Sequence, residues 1–199
     1  MSLSYEFEYL QQVSIYNQRN KSYINYLYHW DYFDNQSVHS IQRDIDLNIT
    51  ALTTLSHAFV NIAAKHGQKS AILNIASLAA LLPIPRFAVY SATKSNVLRL
   101  SNILSYELKK QQRDISVTCI CPGGVLTEFS QQAGQELKGE LGMMTSRDVA
   151  QQSVTAMFKG KRMFIPGVFN KISALTRFLP LRLKRFLLEQ SMVVAVKDR

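Results

Sequence analysis

Apolar residues recur at three- and four-residue spacings from about residue 41, through Ile41, Ile45, Ile49, Leu52, Leu55, Phe59 and Ile62, with Leu47 among them. That repeat places them on one face of a long helix. Lys65 and His66 precede Gly67, which is the expected stop. The run Ala71–Ala76 is short and almost wholly apolar, the signature of a strand buried on both faces of a parallel sheet. Pro83 and Pro85 then break the chain before a second long helix, about 87 to 111. A second apolar strand follows at Ile115–Cys121 and closes on Pro122-Gly-Gly124. A helix is expected at 146 to 158, with Thr145 or Ser146 as its cap and Asp148 in its first turn, and Arg162–Pro166 reads as a last short strand. Helices alternating with strands imply parallel pairing through right-handed crossovers. The expected fold is therefore an α/β, three-layer domain with a parallel sheet.

The first third departs from this pattern. Residues 1–33 contain ten of the twenty aromatic residues, and no glycine precedes Gly67 although the chain has eight. At the other end, Lys159 to Arg185 carries eight cations and no acid, interleaved with Ile172, Leu175, Phe178, Leu183 and Phe186. The expected organisation is an atypical aromatic segment over 1–33, a core portion over 34–170, and a basic amphipathic helical tail over 171–199.

With 199 residues and 47% hydrophobic content, the chain can close one substantial core, which excludes a disordered or fibrous protein. The net charge of +9 suits an anionic partner, whether nucleotide, nucleic acid or lipid surface, and does not choose among them. Cys119 and Cys121 lie two apart in a strand-like run, which reads as buried thiols in a reducing compartment. The N-terminus lacks a basic start and apolar block, and no uncharged apolar run reaches spanning length, so a soluble cytoplasmic protein is expected. The sequons at Asn35 and Asn48 are then accidental. The four histidines have no ligand spacing with carboxylates or cysteines, so no metal is expected.

The candidate chemistry is concentrated in Tyr90-Ser-Ala-Thr-Lys94. Residues four apart on a helix rise from the same face, so Tyr90 and Lys94 can meet at one site. An ammonium beside a phenol favours the phenolate and brings it within reach of acid–base work. Ser77 ends the strand before this helix, at the edge where open α/β sheets collect ligands, and its hydroxyl could bond a substrate carbonyl. Pro122-Gly-Gly-Val-Leu-Thr127 ends the next strand at the same edge and could lie against a planar ligand.

Ser77, Tyr90-Ser-Ala-Thr-Lys94 and Pro122-Gly123, in this order and spacing, resemble the short-chain dehydrogenase/reductase family. The resemblance reaches back through Ile45-Asp-Leu-Asn-Ile-Thr-Ala-Leu52 and forward through Thr145–Ala150 and Gly160-Lys161, covering about residues 33 to 170. It implies an oxidoreductase that interconverts a carbonyl and a secondary alcohol by hydride transfer with NADP or NAD. Tyr90 would exchange the proton, Lys94 would lower its pKa and hold the nicotinamide ribose, Ser77 would polarise the carbonyl, and Asn48 would support a water-linked relay. Pro122, Gly123, Val125 and Thr127 would border the nicotinamide end.

Two family landmarks are missing or altered. The family's glycine-rich turn, which brings backbone close to the cofactor pyrophosphate, has no counterpart where no glycine occurs before Gly67. The family's Asn-Asn-Ala-Gly turn falls on Asn25-Tyr-Leu-Tyr28, where bulky Tyr28 would crowd the adenine side. The resemblance implies a Rossmann-like α/β fold, here N-terminally truncated, with NAD against NADP left open. Two readings follow: an active enzyme on a small carbonyl or alcohol, lipid-like in keeping with the tail, or a catalytically inactive truncated member serving as a partner subunit or gene remnant. The resemblance also implies a homo-oligomer paired through the helices at 41–66 and 87–111. The tail itself reads as a solvated face or a lid beside the substrate pocket, with peripheral membrane contact as the second reading and nucleic-acid binding, which lacks a motif, third.

Overall fold

The computed structural model describes residues 31–67, 69–126 and 142–195. The expectations for residues 1–30, including those for Asn25–Tyr28, and for Thr127 lie outside the described residues.

After a short 3-10 turn at Phe33–Asn35, helix α1 spans Val38–Ile45, passes without a break into a π-helical segment at Asp46–Ala51, and continues as α2, Leu52–His66. Ser37 caps α1 by accepting from the Ser40 N–H, and α2 stops at Gly67, whose φ of +64° is the left-handed conformation that closes a helix end. Strand β1 is Ser70–Ile75, a 3-10 turn follows at Leu78–Ala80, helix α3 is Ala88–Lys110, and strand β2 is Ile115–Ile120. Beyond β2 come the short strands β3 (Val125–Leu126) and β4 (Met144–Thr145), helix α4 (Ser146–Phe158) and strand β5 (Met163–Phe164). Helix α5 (Val168–Leu175), a 3-10 turn at Thr176–Phe178 and helix α6 (Leu181–Ala195) form the tail.

The main sheet has the order β1-β2-β5, and both pairings are parallel, with Ile72 opposite Val117, Asn74 opposite Cys119 and Ile120 opposite Phe164. Parallel neighbours require crossovers, and α3 and α4 supply them. Alternate residues sort the layers. Ile72, Ile115 and Val117 pack with Ala63 of α2 and Leu108 of α3, while Cys119 and Cys121 pack with Val97 and Leu98 of α3. Helix α4 lies against β1 and β2, whose other-parity residues Thr118 and Ile120 have no exposed surface at all. This is the three-layer α/β arrangement expected from the alternation of elements. Among the described residues no helix is long and apolar enough to cross a membrane.

The single straight helix expected from residue 41 differs in one respect. A π-helical segment holds an extra residue per turn, so the apolar stripe of α1 is rotated relative to that of α2. Within α2 the small residues Ser56 and Ala63 face inward, and the larger Leu55 and Ile62 are more than half exposed. Ile103 and Tyr106 of α3 are likewise exposed.

Candidate active site

The site is assembled at the carboxyl end of β1. The Ala76 N–H donates to the Ile120 carbonyl at 2.7 Å and the Leu78 N–H to the Pro122 carbonyl at 2.8 Å, so the chain leaving β1 stays bonded to the chain leaving β2. Ser77 lies between these two bonds, with extended backbone at φ −164° and ψ 164°. Its Oγ accepts from the Ala79 N–H at 3.2 Å and caps the following 3-10 turn. That bond consumes a lone pair and leaves the hydroxyl proton for another acceptor.

Tyr90 is the third residue of α3 and is half-buried. Its ring stands 5.7 Å from that of Phe87, tilted by 54°. Lys94, one turn on, has its Nζ 5.7 Å from the Tyr90 ring centroid and donates to the carbonyl of Ile75, the last residue of β1, at 3.2 Å. The helical spacing thus does bring phenol and ammonium to one place, and β1 anchors the ammonium.

Lys94 is only 8% exposed. Burial pushes its ammonium down to about 8, against the raising influence of the Cys119 sulfur and the Asp44 carboxylate. Cys119 and Cys121, both free and without exposed surface, lie beneath it. Cys119 is held below its usual range, chiefly by a hydrogen bond from Cys121 and also by Ser101 and the Ala76 N–H. Cys121 is pushed far up by its hydrogen bond to Cys119 and by burial. Cys119 thus bears on the Lys94 charge, an influence that spacing alone did not reveal.

Asn48 lies in the π-helical segment, which packs on α3, and is 6% exposed. Its Nδ2 donates to the Asp44 carbonyl at 3.2 Å. Widened π turns recur at functional positions because they re-aim a side chain and a carbonyl. Asp44 comes from the same stretch of chain, so the Asn48 region adds a carboxylate to the Lys94 environment, a contribution that the sequence reading lacked.

Pro122 is buried at the end of β2. Val125 is half-buried in β3, opposite Met144 of β4. At Gly123, an added Cβ would lie 2.7 Å from Cγ and 2.9 Å from Nδ2 of Asn170, a residue of α5 that is 4% exposed. Asn170 Nδ2 donates to the Pro166 carbonyl at 3.0 Å. Glycine at 123 thus lets the tail close against the turn after β2. Beside the site, an open groove of about 330 Å³ runs between the 3-10 turn and α3, lined by residues that include Leu82, Pro83, Ser91 and Ser95. Among the described residues no group of three or more His, Cys, Asp or Glu side chains is placed to hold a metal ion.

The residues fit the nicotinamide–ribose end of a dinucleotide on one structural ground. A buried ammonium has three N–H donors, and the Ile75 carbonyl takes one of them, so donors remain at the strand edge for sugar hydroxyls.

Comparison with known proteins bears on the whole assembly. The sequence model of the family described as short chain dehydrogenase matches residues 29–138. The human protein named Dehydrogenase/reductase SDR family member 4 is 32% identical over 101 residues, which is 51% of this chain and 35% of that protein. The chain thus spans about a third of that relative's length. A short-chain dehydrogenase from Sphingobium yanoikuyae, solved in complex with NADPH, superposes with a TM-score of 0.63 at 25% identity, over 96% of this chain and 72% of that one. A short chain dehydrogenase/reductase from Burkholderia phymatum, solved in complex with NAD, superposes with a TM-score of 0.66 at 18% identity, over 78% of this chain and 63% of that one.

Proposed function

This chain belongs to the short-chain dehydrogenase family, and from that membership together with the geometry at β1 we propose that it is a nicotinamide-dependent oxidoreductase interconverting a carbonyl and a secondary alcohol. The observation that carries the reading is the placement of Tyr90 and Lys94 against the end of β1, with Ser77 on the same edge.

A bound NADP or NAD would supply or take up the hydride. The chain's own residues do the rest. The Tyr90 hydroxyl exchanges a proton with the substrate oxygen, and the neighbouring ammonium of Lys94 favours the phenolate that this requires. The Ser77 hydroxyl, free to donate, bonds the same oxygen and withdraws charge as it develops. Lys94 also presents its remaining N–H donors to the ribose. Asn48, buried and bonded to the Asp44 carbonyl, would support the water-linked proton relay. Pro122, Gly123 and Val125 would border the nicotinamide, as the resemblance implies.

The substrate is a small carbonyl or alcohol. The homo-oligomer implied by the resemblance would bury the exposed Leu55, Ile62, Ile103 and Tyr106 of α2 and α3 against a second copy.

The test is a fluorescence titration of the purified chain with NADH and with NADPH. Saturable binding is expected for one or both, weakened about tenfold or more by Lys94→Ala, the equivalent of one charged hydrogen bond. No saturable binding at millimolar concentrations of either nucleotide would refute the enzyme and favour a family member that serves without a cofactor.

A further inference from the structure

Helix α5 has two unlike faces. On one, Asn170 and Ala174, four apart, are 4% and 3% exposed and pack inward. On the other, Val168, Ile172 and Leu175 are 72%, 59% and 60% exposed. Their spacing of four and then three residues makes one continuous apolar stripe turned away from the core. Phe178, just beyond, is 72% exposed.

Helix α6 also carries exposed apolar side chains. Leu183, Phe186 and Leu187 share a face and are exposed, with the exposed Arg182 and Arg185 on its flanks. Helix α6 is tied to the 3-10 turn that follows α5, since Lys184 Nζ donates to the Arg177 carbonyl at 2.7 Å. The Arg177 guanidinium lies 4.6 Å above the Phe178 ring.

An exposed apolar stripe on a helix whose opposite face is already packed is costly in water and marks a contact surface. The charge around it selects the partner. From Lys159 to Leu188 the chain has eight Lys and Arg residues and no Asp or Glu. A second copy meeting this face symmetrically would bring like charges together. An anionic lipid surface instead accepts both properties at once, apolar side chains in the acyl boundary and cations among the headgroups.

We propose that residues 168–187 dock the protein onto an anionic membrane surface, with Ile172, Leu175, Phe178 and Phe186 as the inserted side chains and Lys171, Arg182 and Arg185 as the headgroup contacts. The helices lie in the interface and do not span it. Nothing in this proposal depends on the chemistry at Tyr90.

Flotation of the full chain with phosphatidylcholine vesicles, with and without phosphatidylglycerol, at low and high salt, is the test. Wild type is expected to float only with the anionic vesicles and to be released by salt. Arg182→Ala combined with Arg185→Ala should weaken partitioning about thirtyfold, at roughly 1 kcal/mol per cation. Ile172→Glu with Leu175→Glu should abolish flotation while leaving the thermal unfolding midpoint unchanged, because both residues are exposed. Failure of wild type to float with anionic vesicles at low salt overturns the proposal, as does equal flotation with neutral vesicles. Undiminished flotation of the double glutamate variant overturns it too. A dimer of wild type that the double glutamate variant disrupts, without lipid binding, would assign the face to a second copy instead.

Discussion

Replacing Lys94 by Met should make the protein more stable and remove a pH dependence, although the residue is central to the candidate site. The folded ammonium titrates at about 8 against a reference of 10.5, chiefly because burial disfavours its charge. That difference of about 2.5 units corresponds to roughly 3 kcal/mol, to order of magnitude. The sign follows from proton counting. Between pH 8 and 10.5 the unfolded chain holds the proton that the folded chain has lost, so stability rises with pH across this window. Below pH 8 the full cost of keeping a buried charge is present. Methionine matches the length of the lysine stem, carries no charge, and forgoes the hydrogen bond to the Ile75 carbonyl, a loss of about 1 kcal/mol. The expected net gain for Lys94→Met at pH 7 is therefore about 2 kcal/mol. Urea unfolding followed by far-ultraviolet circular dichroism, under reducing conditions from pH 7 to 10.5, reads both quantities. The difference between variant and wild type should shrink as pH rises through the window. Parallel curves, or a variant less stable than wild type at pH 7, would refute the argument that burial controls the Lys94 charge.

Three further outcomes follow from the fold. Leu108→Ala, at a side chain 2% exposed in the cluster shared by α2, α3 and the sheet, should lower stability by about 2–5 kcal/mol in urea unfolding. Thr118→Val should raise it by about 1 kcal/mol, since the Thr118 hydroxyl is fully buried with no partner among the described residues and valine has the same shape. Gly67→Ala should lower stability by about 1 kcal/mol although open space surrounds the position, because the φ of +64° penalises any Cβ; an unchanged urea midpoint would show that α2 can end elsewhere.

What could be read from the sequence was local. Gly67, the capping Thr145 with Asp148, and the i, i+4 pair Tyr90 and Lys94 each encode their geometry within one turn of chain, and the structure places them accordingly. The parallel sheet was legible because Ala71–Ala76 and Ile115–Cys121 are short, mostly apolar runs set between helices; β2 is largely buried, whereas β1 is buried at Ile72 and Asn74 and exposed at Ile75, so only one of its faces is covered as expected. What escaped depends on contacts made across the fold. The π-helical segment at Asn48 arises where that stretch packs on α3, and no residue type in Asp46–Ala51 announces an extra residue per turn. Leu55 and Ile62 fit the helical apolar repeat yet face outward, because the inward positions are taken by Ser56 and Ala63. The closure of Asn170 on Gly123 joins residues 47 positions apart, and a lone asparagine in a basic tail gives no local sign of it.

That last contact joins two ends of the molecule in a way that thermodynamics makes reciprocal. One face of α5 presses Asn170 on the turn that follows β2, and the other presents Ile172 to whatever lies outside. If an occupant of the wall at Gly123 shifts the seating of Asn170, the orientation of the outer stripe changes with it. By linkage, any surface that holds the stripe then shifts affinity at the wall by the same factor. Nucleotide affinity measured with and without vesicles would express that factor as a single number. The lack of a side chain at residue 123 would in that case set how tightly the two ends are coupled.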